Sequence, residues 1–226
     1  MSWSLWRYEL RRLGRGVLLG PLLALAALGL LAALAMRAGL GQQIDRILSE
    51  ALDVLPVIGG LAAAGIVVDD PALELQLSLP TTFRLTMLRR LALALGWTSL
   101  IGLTCAVTLA ASGRLAWPIS PLEDQLIWLA PLLWLAGLGA ALSLALGATA
   151  AGSSLVGMVW VLELAMGAGL AQVPALRPVL LFLRYDPAIA TDWLANRLTL
   201  LALAAVGLGS AAWLLGRPER LLRGEG

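Results

Sequence analysis

Few residues of this chain could do chemistry, and two groups stand out by position. Glu163 is the one carboxylate deep within an apolar span. An ionised acid there costs on the order of 3 kcal/mol on insertion scales, so such groups are usually buried and paired. Two readings of it stay open: a polar contact in a translocation path or at a subunit interface, or a protonated or hydrogen-bonded structural acid. The second group fills residues 69–90, where Asp69, Asp70, Glu74, Gln76 and Ser78 are followed by Thr81, Thr82, Arg84, Arg89 and Arg90.

Other chemistries are poorly served. A membrane enzyme needs two or more polar groups converging at one depth, and only Glu163 lies at depth. Histidine is absent and all sixteen basic residues are arginine, so no His general base, His-ligated metal or His-ligated haem can be built from this chain. Cys105 is the only cysteine and sits in an apolar run, which excludes an intrachain disulfide and suits a buried, inert thiol. The formal charge of +2 is too small to suggest nucleic acid. The arginines flank apolar segments, where membrane lipid headgroups are the natural partner.

The elements that must position these residues are membrane helices. With 60% apolar and 13% charged residues, the chain falls outside the soluble globular range. Uncharged runs are long enough to cross hydrocarbon, which takes roughly 20 helical residues. The expected fold is an all-α, multi-pass protein of the cell membrane, a single transmembrane domain over 1–226 with six spans at 16–36, 51–68, 91–111, 126–147, 155–170 and 198–216. The second is short, opens on Asp53 and contains Pro56, a mismatch that tilt or bilayer thinning accommodates.

Residues 1–15 place Trp3, Trp6, Leu10 and Leu13 on one helical side and Arg7, Arg11 and Arg15 on another, the pattern of an amphipathic helix lying in the interface. Its indoles and guanidinium groups are expected at headgroup depth on the positive-inside face, so both termini are expected in the cytoplasm. Ten of the sixteen arginines then lie inside and six outside, three of the six within 171–197.

In the 69–90 loop, Asp70 followed by Pro71 is an N-cap and first-turn pair. Pro80 ends that helix and Thr81 or Thr82 caps the next, which runs through Arg89 into the third span. Leu73, Leu75, Leu77 and Leu79 alternate, which alone favours a strand, but an isolated strand beside a membrane is the poorer choice. A small-residue turn at 148–154 joins spans four and five as antiparallel neighbours. The outer segment 171–197 holds Pro174, Pro178, Pro187 and the apolar run 179–183. It is too apolar for a solvated loop, and the expectation is two short helices dipping into the outer leaflet where protein surrounds them. Trp193, Asn196 and Arg197 are expected to anchor span six in the outer headgroup layer. Gly137, Gly139, Gly157, Gly167, Gly169, Gly207 and Gly209 give the last three spans small surfaces for close helix approach.

The basic N-terminal helix, the stretch DDPALELQLSLPTTFRLTMLRR, the long outer segment, and WLANR before and RPERLL after the last span together resemble ABC-2 type exporter permeases. In that family a pattern similar to E-x-x-L-S-L-P-x-S/T-x-x-x-x-x-x-K/R follows span two. Glu74, Leu77, Ser78, Leu79, Pro80, Thr82 and Arg89 match it, and the glycine that often precedes the glutamate is missing. The likeness covers nearly the whole chain in topology and some thirty residues in motif.

The resemblance implies a permease subunit exporting an amphipathic or lipid-like molecule, paired with a second permease as homodimer or heterodimer. The cytoplasmic loop would be the coupling helix, with Asp69, Asp70, Glu74, Ser78, Pro80, Thr82 and Arg84 facing an ABC ATPase subunit. No G-x-x-x-x-G-K-[ST] phosphate loop occurs here, so ATP and Mg would be bound by that partner and this chain would be no enzyme. A non-transporting membrane scaffold or assembly partner is the alternative.

Overall fold

The computed structural model describes residues 15–68, 83–112, 120, 123–183 and 190–217. Among them run six α-helices: α1 (Arg15–Arg37), α2 (Gly41–Val68), α3 (Phe83–Ala111), α4 (Leu126–Leu146), α5 (Thr149–Leu170) and α6 (Ala190–Leu214). Short 3-10 pieces lie at Glu123–Gln125 and Pro174–Val179, and no strand occurs among the described residues. The expected interfacial helix, with Trp3, Trp6, Arg7 and Arg11, lies outside the described residues, as does the leucine alternation at 73–79.

Five helices are long and apolar enough to cross a membrane, and α2 contributes a shorter apolar stretch, Leu52–Val68. The fold is therefore the all-α one of a multi-pass membrane protein. The apolar stretches of these helices are apolar all round, which soluble helices with one wet face are not. Leu23, Leu30 and Leu31 on α1 and Val161, Leu164 and Met166 on α5 lie exposed on the outside of the bundle, as residues facing lipid do.

Helix α4 is the central pole. Of its apolar stretch 56% is buried, against 6% for α5, because α2 and α6 flank it and α5 leans on it from outside. One end of the bundle gathers Val67 of α2, Phe83 and Met87 of α3, Leu144 of α4 and Leu215 just past α6. Towards the other end, Leu52 of α2 meets Leu109 of α3 and Trp128 of α4. These clusters fix alternating helix directions, since the end of one helix packs on the start of the next. Between them Val57, Leu135, Val156, Leu181 and Leu200 join α2, α4, α5, the segment that follows α5, and α6.

Two close approaches explain the density around α4. A Cβ on Gly207 would sit 2.8 Å from the Gly137 carbonyl carbon, and one on Gly139 would sit 2.7 Å from the Gly60 carbonyl oxygen. Glycine therefore lets α4 touch the backbones of both α6 and α2. Among the described residues, Gly157, Gly169 and Gly209 have no such neighbour.

The helix starts differ from the sequence reading in three places. α2 begins at Gly41 rather than 51, with Ile44 buried against Ala32 and Ala35 of α1. α5 begins at Thr149 rather than 155, because Gly147 at φ 64° closes α4 in one step and its N–H returns to the Ser143 carbonyl. Left-handed backbone at a helix end is what glycine permits. α6 begins at Ala190 rather than 198, which carries Trp193, Asn196 and Arg197 onto a helix.

Candidate functional site

The polar groups that the structure brings together lie around the segment joining α5 to α6. After Leu170 the chain passes through Ala171, the 3-10 piece Pro174–Val179 and the non-helical residues 180–183. Leu180, Leu181 and Leu183 are buried, so their backbone amides and carbonyls need partners inside the protein. Side chains from two helices supply them.

From α6, the Arg197 guanidinium donates to the Leu181 carbonyl at 2.8 Å and the Leu183 carbonyl at 2.7 Å, and reaches the Ile127 carbonyl on α4 at 3.4 Å. The Asn196 amide nitrogen donates to the carbonyls of Arg177 and Leu180, each at 2.7 Å. Asn196 and Arg197 are 0% exposed, and Trp193 1%, with the Arg197 guanidinium 5.4 Å from the Trp193 ring centre. Trp193, Asn196 and Arg197 are thus buried in protein rather than set in the headgroup layer as expected. The reason is the earlier start of α6, which turns that face of the helix onto the segment.

Arg177 ties the 3-10 piece down at both sides. Its Nη1 pairs with the Asp192 carboxylate at 2.6 Å, and its Nε donates to the Ala171 carbonyl at 2.8 Å, capping the end of α5. From α5, the half-buried Glu163 carboxylate accepts the Phe182 N–H at 3.0 Å, with the Leu181 amide a further backbone partner.

Opposite charges act on one another across three helices. Asp53 of α2 and Glu163 of α5 both act electrostatically on Arg197 of α6. The sequence supplied no obvious intramembrane arginine for Glu163, and Arg197 is the cation near it. Asp53 is half-buried and contributes to the same field. Asp192 and Arg177 were not singled out from the sequence. The signal for them was present: Asp192, Trp193, Asn196 and Arg197 recur at helical spacing just before an uncharged run.

Of the expected coupling residues, Asp69, Asp70, Glu74, Ser78, Pro80 and Thr82 lie outside the described residues. Arg84 is exposed on the first turn of α3, close to Gly216 beyond α6. Beside it Phe83 is 6% exposed and Met87 wholly buried, so the residues that directly follow the Pro80–Thr82 motif are fixed to the ends of α2, α4 and α6. At the same end the Arg217 guanidinium lies 4.0 Å from the Trp213 ring centre.

In chemical terms this cluster holds non-helical backbone in place; it does not assemble a nucleophile with a base. Among the described residues no group of three His, Cys, Asp or Glu side chains could hold a metal ion. Comparison with family models, with curated proteins and with solved structures returned no match for this chain.

Proposed function

We propose that this chain is the permease subunit of an ATP-driven exporter similar to the ABC-2 type, moving an amphipathic or lipid-like molecule with energy from a separate ATPase subunit that binds ATP and Mg. In this reading all six helices cross the bilayer, α2 doing so by tilt or local thinning. Both termini lie in the cytoplasm with ten of the sixteen arginines, and a second permease completes the path.

The observation that carries the reading is how α3 begins. A transporter powered from outside the bilayer needs a stiff link between the surface where force arrives and the helices that must move. The E-x-x-L-S-L-P-x-T pattern ends at Thr82, and Phe83 and Met87 then pack with Val67, Leu144 and Leu215. Work delivered at 69–82 would reach three other helices through one buried cluster, because close-packed interiors transmit displacement instead of absorbing it.

The test is functional reconstitution. The affinity-tagged chain, purified from its native membrane with whatever ATPase accompanies it, is placed in proteoliposomes with a fluorescent amphipathic probe. ATP-dependent loss of probe from one leaflet, abolished when the ATPase is removed, is the expected outcome. A chain that carries no nucleotide hydrolysis through purification, or whose ATPase is indifferent to Arg84→Glu, fits a scaffold and not a transporter.

A further inference from the structure

Helix α5 is held unevenly along its length. Its inner half is locked: Gly152 and Val156 are buried, and a Cβ on Gly152 would collide with Ser143 and come within 2.5 Å of the Gly139 carbonyl oxygen of α4. Its outer half is not, since Val161, Leu162, Leu164 and Met166 are all exposed. Among the described residues, Glu163 is the α5 side chain that hydrogen-bonds the segment 180–183; Val159 and Trp160 pack against the cluster that holds Leu181, and Arg177 caps the end of α5 at Ala171.

On the α6 side the same segment is held by Asn196 and Arg197, both fully buried and together bonding Arg177, Leu180, Leu181 and Leu183. Hydrogen bonds inside a buried, multiply bonded group open only with larger units of structure, whereas a half-buried bond at the edge opens locally at lower cost. The geometry points to a latch. The outer segment and the first turns of α6 form one body, α5 pivots on Gly152–Val156 contacts with α4, and the bond from the Phe182 N–H to the Glu163 carboxylate is where the two part. Release would let the stretch of α5 around Glu163 part from residues 180–183 while the segment stays on α6 and Arg177 keeps hold of Ala171 at the end of α5. This holds whatever molecule is carried and whichever protein supplies energy.

Paired spin labels read this directly, in a Cys105→Ala background, in lipid nanodiscs diluted with unlabelled chain. One pair, on cysteines replacing Met166 and Val179, spans α5 and the segment; the other, replacing Val179 and Leu194, spans the segment and α6. All three positions are exposed. Glu163→Leu should broaden or lengthen the first distance distribution and leave the second narrow. Glu163→Gln, whose amide oxygen still accepts from Phe182, should restore the first. Asn196→Ala should broaden the second.

The latch is overturned if Glu163→Leu leaves the first pair unchanged, if it broadens both pairs alike, or if Glu163→Gln behaves as Glu163→Leu. Hydrogen exchange on the unmutated chain gives a check free of folding defects. The Phe182 amide should exchange faster than the α6 amides of residues 198–200, and equal or slower exchange overturns the proposal as well.

Discussion

Glu163 on α5 and Arg197 on α6 grip the same stretch of non-helical backbone. The carboxylate takes the Phe182 N–H at 3.0 Å, and the guanidinium donates to the carbonyls of Leu181 and Leu183 at 2.8 and 2.7 Å. Each charge is placed where backbone of the opposite polarity is exposed. That division allows a bend with no hydrogen-bonded regularity of its own to survive inside an apolar bundle.

The first prediction concerns Arg197. Arg197→Ala leaves two buried carbonyls without their donor, and each unsatisfied group costs about 1–3 kcal/mol. The loss of stability should therefore be roughly 3 kcal/mol, measured as the unfolding midpoint of the detergent-solubilised chain in rising SDS. Arg197→Lys should fall between, because an ammonium is a point donor and lacks the planar fork that serves two carbonyls at once. A loss below about 1 kcal/mol for Arg197→Ala would show that the carbonyls find other partners.

The helices themselves were legible because uncharged runs such as 16–36 and 126–147 admit little else in a chain this apolar. What was not legible was where polar residues cease to mark a helix boundary. Asp192, Asn196 and Arg197 read as a loop because charged groups normally mark the end of a span. The structure places them on a helix because partners invisible in a sequence satisfy them: the carbonyls of 177–183 take the Asn196 and Arg197 donors, and Arg177 pairs with Asp192. Gly147 shows the same limit: a turn of seven small residues was expected at 148–154, and one left-handed glycine ends α4 instead. The coupling motif was legible as a pattern, but its residues 69–82 lie outside those the structure describes.

A second prediction separates glycines that touch backbone from those that do not. Gly207→Ala forces a Cβ to within 2.8 Å of the Gly137 backbone, while Gly209→Ala meets nothing within 4 Å. The same SDS titration should show a loss of about 1–3 kcal/mol for Gly207→Ala, the usual cost of overpacking, and almost none for Gly209→Ala. Equal effects at both sites would mean that α4 and α6 do not meet through their backbones.

The third prediction tests orientation. With Cys105→Ala as background, single cysteines are placed at Ser2, Gln172 and Gly224 and treated with an impermeant maleimide on intact cells. Gln172 follows the end of α5, at the opposite end of the bundle from Phe83 and Leu215. With six crossings it should label from outside, and the other two only after the membrane is opened. Labelling of Ser2 and Gln172 from the same side would exclude the six-span arrangement.

The fourth prediction bears on coupling. Arg84 is exposed, so reversing its charge should leave the fold intact: Arg84→Glu is expected to shift the unfolding midpoint by no more than about 0.5 kcal/mol, as surface changes usually do. If the surface around it receives the ATPase, the same variant should weaken recruitment on the order of tenfold, about 1.4 kcal/mol, because a reversed charge opposes the partner's complementary group. Asp70→Ala should act in the same direction by removing the N-cap expected there. The measurement is the amount of ATPase retained per permease through purification, with hydrolysis rate alongside. A stably folded Arg84→Glu chain with its full complement of partner and undiminished hydrolysis would mean that force enters elsewhere, and the rigid cluster of Phe83, Met87, Val67 and Leu144 would then be ordinary packing at a helix end.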